Sequence, residues 1–471
     1  MPEHDPALLR EATDLANEFL AGLPDRPVGR PIDPDELRAT LGGELPEDGE
    51  PPEKVLSKLA ADVEPGLVAT AGPRYFGFVI GGSLPVTTAT EWLAAAWDQN
   101  AGNYPASPAS SVVEEVAGSW LASLFGIPAT ASVGFVTGGT MANFTGLAAA
   151  RHAVLQRVGF DVEERGLFDA PPVEVIVGEE AHTTIFVALR MLGLGSDRVQ
   201  RVPVDGQGRM LPDELRRVLE AGDGPAIVCA QAGNVNTGGF DPLRPIGEAA
   251  NQRGAWLHVD GAFGLWAAAT PPLKHHVDGI ELAQSWATDA HKWLNVPYDC
   301  GIVFAADPSA HRAAMTVTAS YLVRGAGEAY TAYDHVPESS RRARGLSMYT
   351  ALRSLGRRGV AELVDRCCAN ARRFAERLGA APGITIPNEV VLNQVLVRFQ
   401  APGDDEQAAD RRTAEVIAAV QQDGTCWAGG TTWRGRHAMR ISVSNWSTTE
   451  EDVDRSVEAI LRCAAAAGVP T

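Results

Sequence analysis

Lys292 lies in the segment TDAHKWLNVP, directly after SWATDA, a run that reads as a short buried strand. A lysine at the C-terminal end of a strand, between His291 and Trp293, stands where an amine can be desolvated and form a Schiff base. The competing reading is an ordinary solvated lysine after a strand. Asp260 ends a second such run, AWLHVD, and is followed by GAFG. The small residues leave room for a flat ligand above the backbone. A carboxylate there can bond a pyridine nitrogen and hold its proton, which makes the ring an electron sink; it could equally be a capping or loop aspartate. The third segment is GFVTGGTMANFTGL, in which Gly138, Gly139 and Thr140 open a helix after a strand. Free amides and a hydroxyl at a helix N-terminus suit a phosphate. The segment lacks both GxxxxGK[ST] and GxGxxG, so it is neither a P-loop nor a dinucleotide fingerprint. A plain glycine turn before a helix is the alternative.

These residues need a scaffold that brings strand ends together. Between about residues 85 and 345, EVIVGEE, RVQRVPVD, AIVCAQAG, AWLHVD, SWATDA and GIVFAAD are short apolar or β-branched runs. Helical segments such as TIFVALRMLGL and LPDELRRVLEAG separate many of them. This alternation predicts an α/β fold with a mostly parallel central sheet, in which ligands gather at the C-terminal strand ends. Residues 76–345 are therefore expected to form a large ligand-binding α/β domain. Residues 346–471 read as a smaller α+β domain: a long helix through MYTALRSLGRRGVAELVDRCCANARRFAERL, strands at VVLNQVLVRF and AMRISVSNW, and a final helix opened by TTEED. Residues 1–75 hold three short amphipathic helices broken by proline-rich connectors, too little to bury a core alone. They are expected to pack on something else, swapped onto a second subunit.

Composition narrows the function classes. The 471 residues are 45% hydrophobic and 21% charged, as in a folded globular protein. A formal charge of -19 repels phosphate backbones and anionic lipid, so neither nucleic acid nor a membrane surface is an expected partner. No apolar run reaches the length of a membrane span, and the acidic start MPEHDPALLREATDL does not read as a signal peptide. The six cysteines show no CxxC pair, so no metal site is expected, and a reducing cytoplasm fits them.

A phosphate cradle, an aspartate and a lysine, in that order on an α/β sheet, fit pyridoxal 5′-phosphate. HVDGAFG followed by HKW, with TGGTMAN upstream, resembles the group II pyridoxal-dependent amino-acid decarboxylases, which include the aromatic amino-acid and glutamate decarboxylases. The resemblance runs from about residue 70 to 450. It implies the pyridoxal-phosphate transferase-like fold, that of aspartate aminotransferase (fold type I), and a homodimer with active sites at the interface. It also implies roles residue by residue. Lys292 matches the lysine that forms the internal aldimine, and Asp260 the aspartate on the pyridine nitrogen. Ala262 matches a small residue beneath the ring. His182, in GEEAHTTIFVALR, matches the histidine stacked on the other ring face, with a core or helix-capping histidine as its alternative. Gly139 and Thr140 match phosphate contacts, and His291 matches the histidine beside the lysine that reaches the phosphate. Tyr321, in ASYLVRG, falls where the family carries a loop tyrosine that controls protonation of Cα after CO2 leaves the quinonoid intermediate; Ser340 falls near the substrate side chain.

Three positions depart from the family pattern: Gly81 and Val235 replace threonines near the cofactor, and Asp289 replaces an asparagine two residues before His291. The implied reaction is decarboxylation of an L-amino acid to the amine and CO2, with an aromatic substrate slightly favoured. Tyr75, Phe76, Phe78 and Trp97 are available for an apolar slot, Arg74 and Arg324 for an acidic substrate. Oxidative deamination to an aldehyde, or transamination, would keep the same cofactor. Two readings from other classes compete: a metal-dependent hydrolase built on His182, His258, Asp260 and His275, which lacks an HExxH pattern, and a non-catalytic binding protein, which would not need to keep Lys292, Asp260 and His182 intact.

Overall fold

A computed structural model describes residues 5–29, 31–316 and 330–471. The strand-like runs form one seven-stranded sheet: β1 (Ser132–Val136), β2 (Glu174–Gly178), β3 (Gln200–Val202), β4 (Ala226–Gln231), β5 (Trp256–Asp260), β6 (Ser285–Asp289) and β7 (Gly301–Ala305). Their spatial order is β1-β7-β6-β5-β4-β2-β3. From β3 to β6 every pair is parallel, whereas β7 runs antiparallel to both β6 and β1. The mostly parallel sheet is the one the alternation predicts; the reversal of β7 is not visible in a run of five apolar residues. Every residue of β4 to β7 is buried, as required of strands covered on both faces.

The helix Gly139–Gln156 is the main cover of this sheet. Eleven of its residues are buried, from Ala142 to Leu155, and it packs with Ile185, Leu189, Ile227 and Trp256 in one apolar cluster. Its approach is close because glycines face the sheet. A Cβ on Gly146 would stand 2.9 Å from the His258 ring, and one on Gly301 would stand 2.5 Å from the Gly138 Cα. Glycine inside a helix costs about 1 kcal/mol relative to alanine; here it lets a helix sit directly on strand residues.

The chain divides into two compact units, residues 81–372 with 388–395, and residues 1–80 with 373–387 and 396–471. The second unit holds a four-stranded sheet, in the order β10-β11-β9-β8, from β8 (Ile384–Thr385), β9 (Gln394–Phe399), β10 (Gly429–Trp433) and β11 (Arg436–Ser442). TTEED does open a helix: Thr449 and Asp452 form a reciprocal capping box ahead of Glu450–Ala466. The predicted long helix spans Gly345–Gly379 but breaks at Gly356, whose φ of 62° and ψ of 179° are non-helical and available to glycine without steric penalty. Three N-terminal helices, Pro6–Gly22, Pro34–Leu41 and Pro52–Val63, contain no buried residue. Among the described residues no helix is long and apolar enough to cross a membrane, and no cluster of histidine, cysteine and carboxylate residues is arranged to hold a metal ion.

One buried ion pair ties the sheet's unit together. The Arg341 guanidinium donates to both Glu114 carboxylate oxygens at 2.7 and 2.9 Å and to the carbonyls of Ala101 and Phe135. Both side chains are excluded from solvent. Removing one partner leaves an uncompensated buried charge, so Glu114→Ala is expected to lower unfolding stability by about 3–5 kcal/mol. The Glu114→Leu/Arg341→Met pair should lose clearly less. Urea unfolding followed by tryptophan fluorescence checks both.

Candidate active site

The sheet order puts the C-terminal ends of β5 and β6 side by side, with Asp260 paired to Ala287 in register. Asp260 and Asp289 each end a strand, and the loop after β6 carries His291 and Lys292. A cavity of about 310 Å³ opens here, lined by the helix start Thr137–Met141, His182, Thr184, Ala262, Asp289, His291 and Lys292. A smaller crevice shares His182 and is lined by Asp260, Glu180 and Asp241. The fold thus brings together Gly139, Thr140, His182, Asp260, Ala262, His291 and Lys292. Tyr321 lies outside the described residues, as does Arg324.

Each side chain is held. Asp260 is buried and accepts from the Ala262 amide at 3.2 Å on Oδ1 and from the Asn143 amide at 3.1 Å on Oδ2. His182 is the N-cap of the helix Thr183–Met191, and its Nδ1 lies 2.8 Å from the Thr184 hydroxyl. It is therefore both a capping histidine and a wall of the cavity, so the two readings of this residue do not compete. His291 accepts the Cys300 amide hydrogen on Nδ1 at 3.1 Å, which leaves the ring hydrogen on Nε2, near the glycine cradle. A Cβ on Gly138 would stand 3.1 Å from this ring. Burial pushes the His291 pKa down, opposed by Asp289, so the ring is a neutral donor at pH 7.

Asp289 is the unexpected member. Its carboxylate is buried and its Oδ2 pairs with Lys292 Nζ at 2.8 Å. Among the described residues Oδ1 has no hydrogen-bond partner, and it lies 3.6 Å from His291 Nε2. A Cβ on Gly139 would stand 2.8 Å from Oδ2, so this carboxylate lies directly against the helix start. The Gly81 departure also has a physical reason. A Cβ there would meet the Lys292 carbonyl oxygen at 1.8 Å, so this backbone admits no threonine. Asn295 locks the contact: its side-chain oxygen accepts from the Gly82 amide at 2.6 Å and its carbonyl from the Leu84 amide at 2.9 Å. Beside Val235, Asn234 and Thr237 build their own turn, with Asn234 Oδ1 accepting from the amides of Asn236 and Thr237 and the Thr237 hydroxyl donating to Gln207.

Other candidates are engaged elsewhere. Arg74 is buried and donates to the carbonyls of Thr425 and Pro24. Tyr75 stacks on Trp427, and Phe76 packs edge-on against Phe374. Ser340 is exposed beside the buried Arg341. His258 bonds Ser285 and Asn143, and His275 lies tilted against the His276 ring, so the four proposed hydrolase ligands do not converge. Asn143, Thr184 and Asn295 were not singled out from the sequence. Asn143 is within TGGTMAN, three residues after Thr140, and only its burial marks it as more than a helix residue.

The residues fit pyridoxal phosphate. The glycines leave a side-chain-free cradle at the start of an 18-residue helix, Lys292 opens into the same cavity, and each Asp260 oxygen keeps acceptor capacity beyond its one anchor. Asp289 is the one anion lining that cavity among the described residues, and it pairs with Lys292.

Residues 34–400 match the pyridoxal-dependent decarboxylase conserved domain. Tryptophan decarboxylase 1 of Oryza sativa subsp. japonica is 26% identical over 96% of this chain and 92% of that protein. Phenylacetaldehyde synthase of Arabidopsis thaliana is 25% identical over 95% and 94%. The crystal structure of Oryza sativa TDC with PLP and tryptamine superposes with a TM-score of 0.92, at 24% identity, over 99% of this chain and all of that one. The architecture is thus fold type I, as expected.

Two outcomes test the site. Borohydride reduction of the pyridoxal-phosphate-loaded protein should fix the cofactor on the peptide carrying Lys292 and on no peptide of Lys292→Ala, as read by mass spectrometry. Asp289→Asn should tighten pyridoxal phosphate binding about tenfold, because it removes an anion from a phosphate cradle; equilibrium dialysis at pH 8 measures the change.

Proposed function

Since the chain belongs to the pyridoxal-dependent decarboxylase family and uses pyridoxal phosphate, we propose that it converts an aromatic L-amino acid to the corresponding amine and CO2. The observation that carries this reading is the convergence of Lys292, His182, Ala262, His291 and the Gly139–Thr140 helix start on one cavity, with Asp260 beside it. Bound there, the cofactor supplies an electron sink for the pair left when CO2 departs.

The protein's own residues do the rest. Lys292 provides the amine that tethers the cofactor and, once freed by the incoming substrate amine, a group that carries a proton. Asp260, an acceptor with both oxygens anchored, holds a proton on a ring nitrogen. His182 offers a flat face fixed by Thr184, and Ala262, one of the small residues after β5, leaves space for a ring. The amides of the Gly139 helix, the Thr140 hydroxyl and the Nε2 hydrogen of His291 are the donors for a phosphate. Asp260, Asp289 and His291 are all buried, so charge interactions among them are stronger than in water. Tyr321, by the family resemblance, delivers the proton to Cα and so favours the amine over the aldehyde.

An aromatic substrate is supported by the similarity to a tryptophan decarboxylase and by the cavity lining, which among the described residues contains no arginine to meet an acidic side chain. The similarity to an aldehyde synthase favours a second reading, in which the same site couples decarboxylation to oxidative deamination. A homodimer is supported by the N-terminal helices, which leave Leu9, Leu41, Val55 and Leu59 about half exposed in the single chain. A cytoplasmic setting is consistent with six cysteines that form no disulfide among the described residues.

The test is a panel of tryptophan, tyrosine, phenylalanine, dopa, glutamate and aspartate, with pyridoxal phosphate added. Equimolar CO2 and amine from an aromatic member is the expected result. Aldehyde, ammonia and peroxide would establish the oxidative outcome, and turnover of only the acidic members would overturn the substrate class.

A further inference from the structure

Behind Asp260 runs a chain of buried polar groups that the proposed reaction does not use. Asn143 Nδ2 lies 3.1 Å from Asp260 Oδ2, Asn143 Oδ1 lies 2.9 Å from His258 Nε2, His258 Nδ1 lies 2.8 Å from the Ser285 hydroxyl, and the Trp256 indole nitrogen lies 2.8 Å from the same hydroxyl. Trp256, His258, Ser285 and Asn143 are all fully buried.

The direction of every bond in this chain is determined. A carboxylate acting as a hydrogen-bond acceptor must be met by the amide NH2 of Asn143, so the amide oxygen faces His258. His258 must then carry its hydrogen on Nε2 and accept on Nδ1. Ser285 supplies that hydrogen, and its oxygen accepts from the Trp256 indole, which can only donate. Four donors therefore point the same way and end on Asp260 Oδ2. The arrangement needs a neutral imidazole, and burial holds the His258 pKa down at about 4 against the pull of Asp260. Asn143 also donates to the Thr184 hydroxyl at 3.1 Å, the group that holds His182. One amide thus connects the aspartate to the histidine of the cavity wall. Gly146 makes the contact possible, since any side chain there would strike the His258 ring.

We propose that Asn143 and His258 are positioning residues that fix Asp260 as an acceptor aimed at the pyridine nitrogen, so that the ring stays protonated and its electron demand is set by this chain. The proposal rests on the reading of the site as a pyridoxal phosphate site. It assigns work to a histidine and an asparagine that touch neither substrate nor reacting atoms. Oriented dipoles in a dry interior act on a neighbouring charge far more strongly than in water.

The test uses the full-length protein loaded with pyridoxal phosphate labelled with 15N in the ring. In the wild type the bound ring nitrogen should show the 15N shift of a protonated pyridine at pH 7.5. In Asn143→Ala it should move to the deprotonated position, and turnover should fall at least tenfold with KM little changed. Supplying the N1-methyl analogue of the cofactor, whose nitrogen is permanently charged, should restore most of the lost turnover in the variant. Ser285→Ala removes one hydroxyl from the far end and keeps the packing; it should move the 15N shift in the same direction by a smaller amount, and serves if Asn143→Ala does not fold. A ring nitrogen that stays protonated in both variants, or a loss that the methylated cofactor does not repair, would overturn the proposal. Wild-type protein that takes up no cofactor on Lys292 would instead bring down the reading of the site beneath it.

Discussion

The close approach of the Gly139–Gln156 helix to the sheet is the constraint on which the site depends. Gly301 lets the helix start lie against β7, Gly146 lets the helix rest on the His258 ring, and Gly139 leaves its first turn open beside Asp289. Because the helix is that near, Asn143 on its second turn can reach Asp260 at the end of β5. A helix set back by one methyl group would lose that hydrogen bond. Packing and chemistry are here the same geometric fact.

Charge is arranged locally and against the overall trend. The chain carries a formal charge of -19, yet the cavity presents a lysine, a neutral histidine donor and a helix N-terminus to an anionic ligand. Asp289 runs counter to this, and its ion pair with Lys292 leaves the two charges balanced. Elsewhere the buried charges are paired with similar care: Arg341 with Glu114, and Arg74 with backbone carbonyls. Burial of such groups is tolerable only when each is matched.

Function in this family is decided by a few groups within a shared architecture. The relatives include both a tryptophan decarboxylase and a phenylacetaldehyde synthase at nearly the same identity, so the scaffold alone does not choose the product. The residues proposed to bind the cofactor are on strand ends and on a helix start. The tyrosine expected to direct the proton is in the 317–329 segment, a different part of the chain from that framework.

Much of the candidate site was legible in the sequence because its residues concentrate in short motifs. TGGTMAN, HVDGAFG and HKW name Gly139, Thr140, Asp260, Ala262, His291 and Lys292, and period and turn residues placed them on strand ends and a helix start. Strand existence was equally legible, since EVIVG, AIVCAQ, WLHVD, SWATD and GIVFA are short apolar runs bounded by breakers. Local sequence determined these features because each depends on neighbours within a few residues. What only the tertiary structure decided were relations between distant segments: the reversed β7, the exclusion of any side chain at Gly81 by the Lys292 carbonyl, the capture of Arg74 by Thr425, and the chain from Trp256 through Ser285, His258 and Asn143 to Asp260. A hydrogen bond between residues 117 positions apart leaves no trace in local periodicity, because it is set by how a helix and a sheet close on one another.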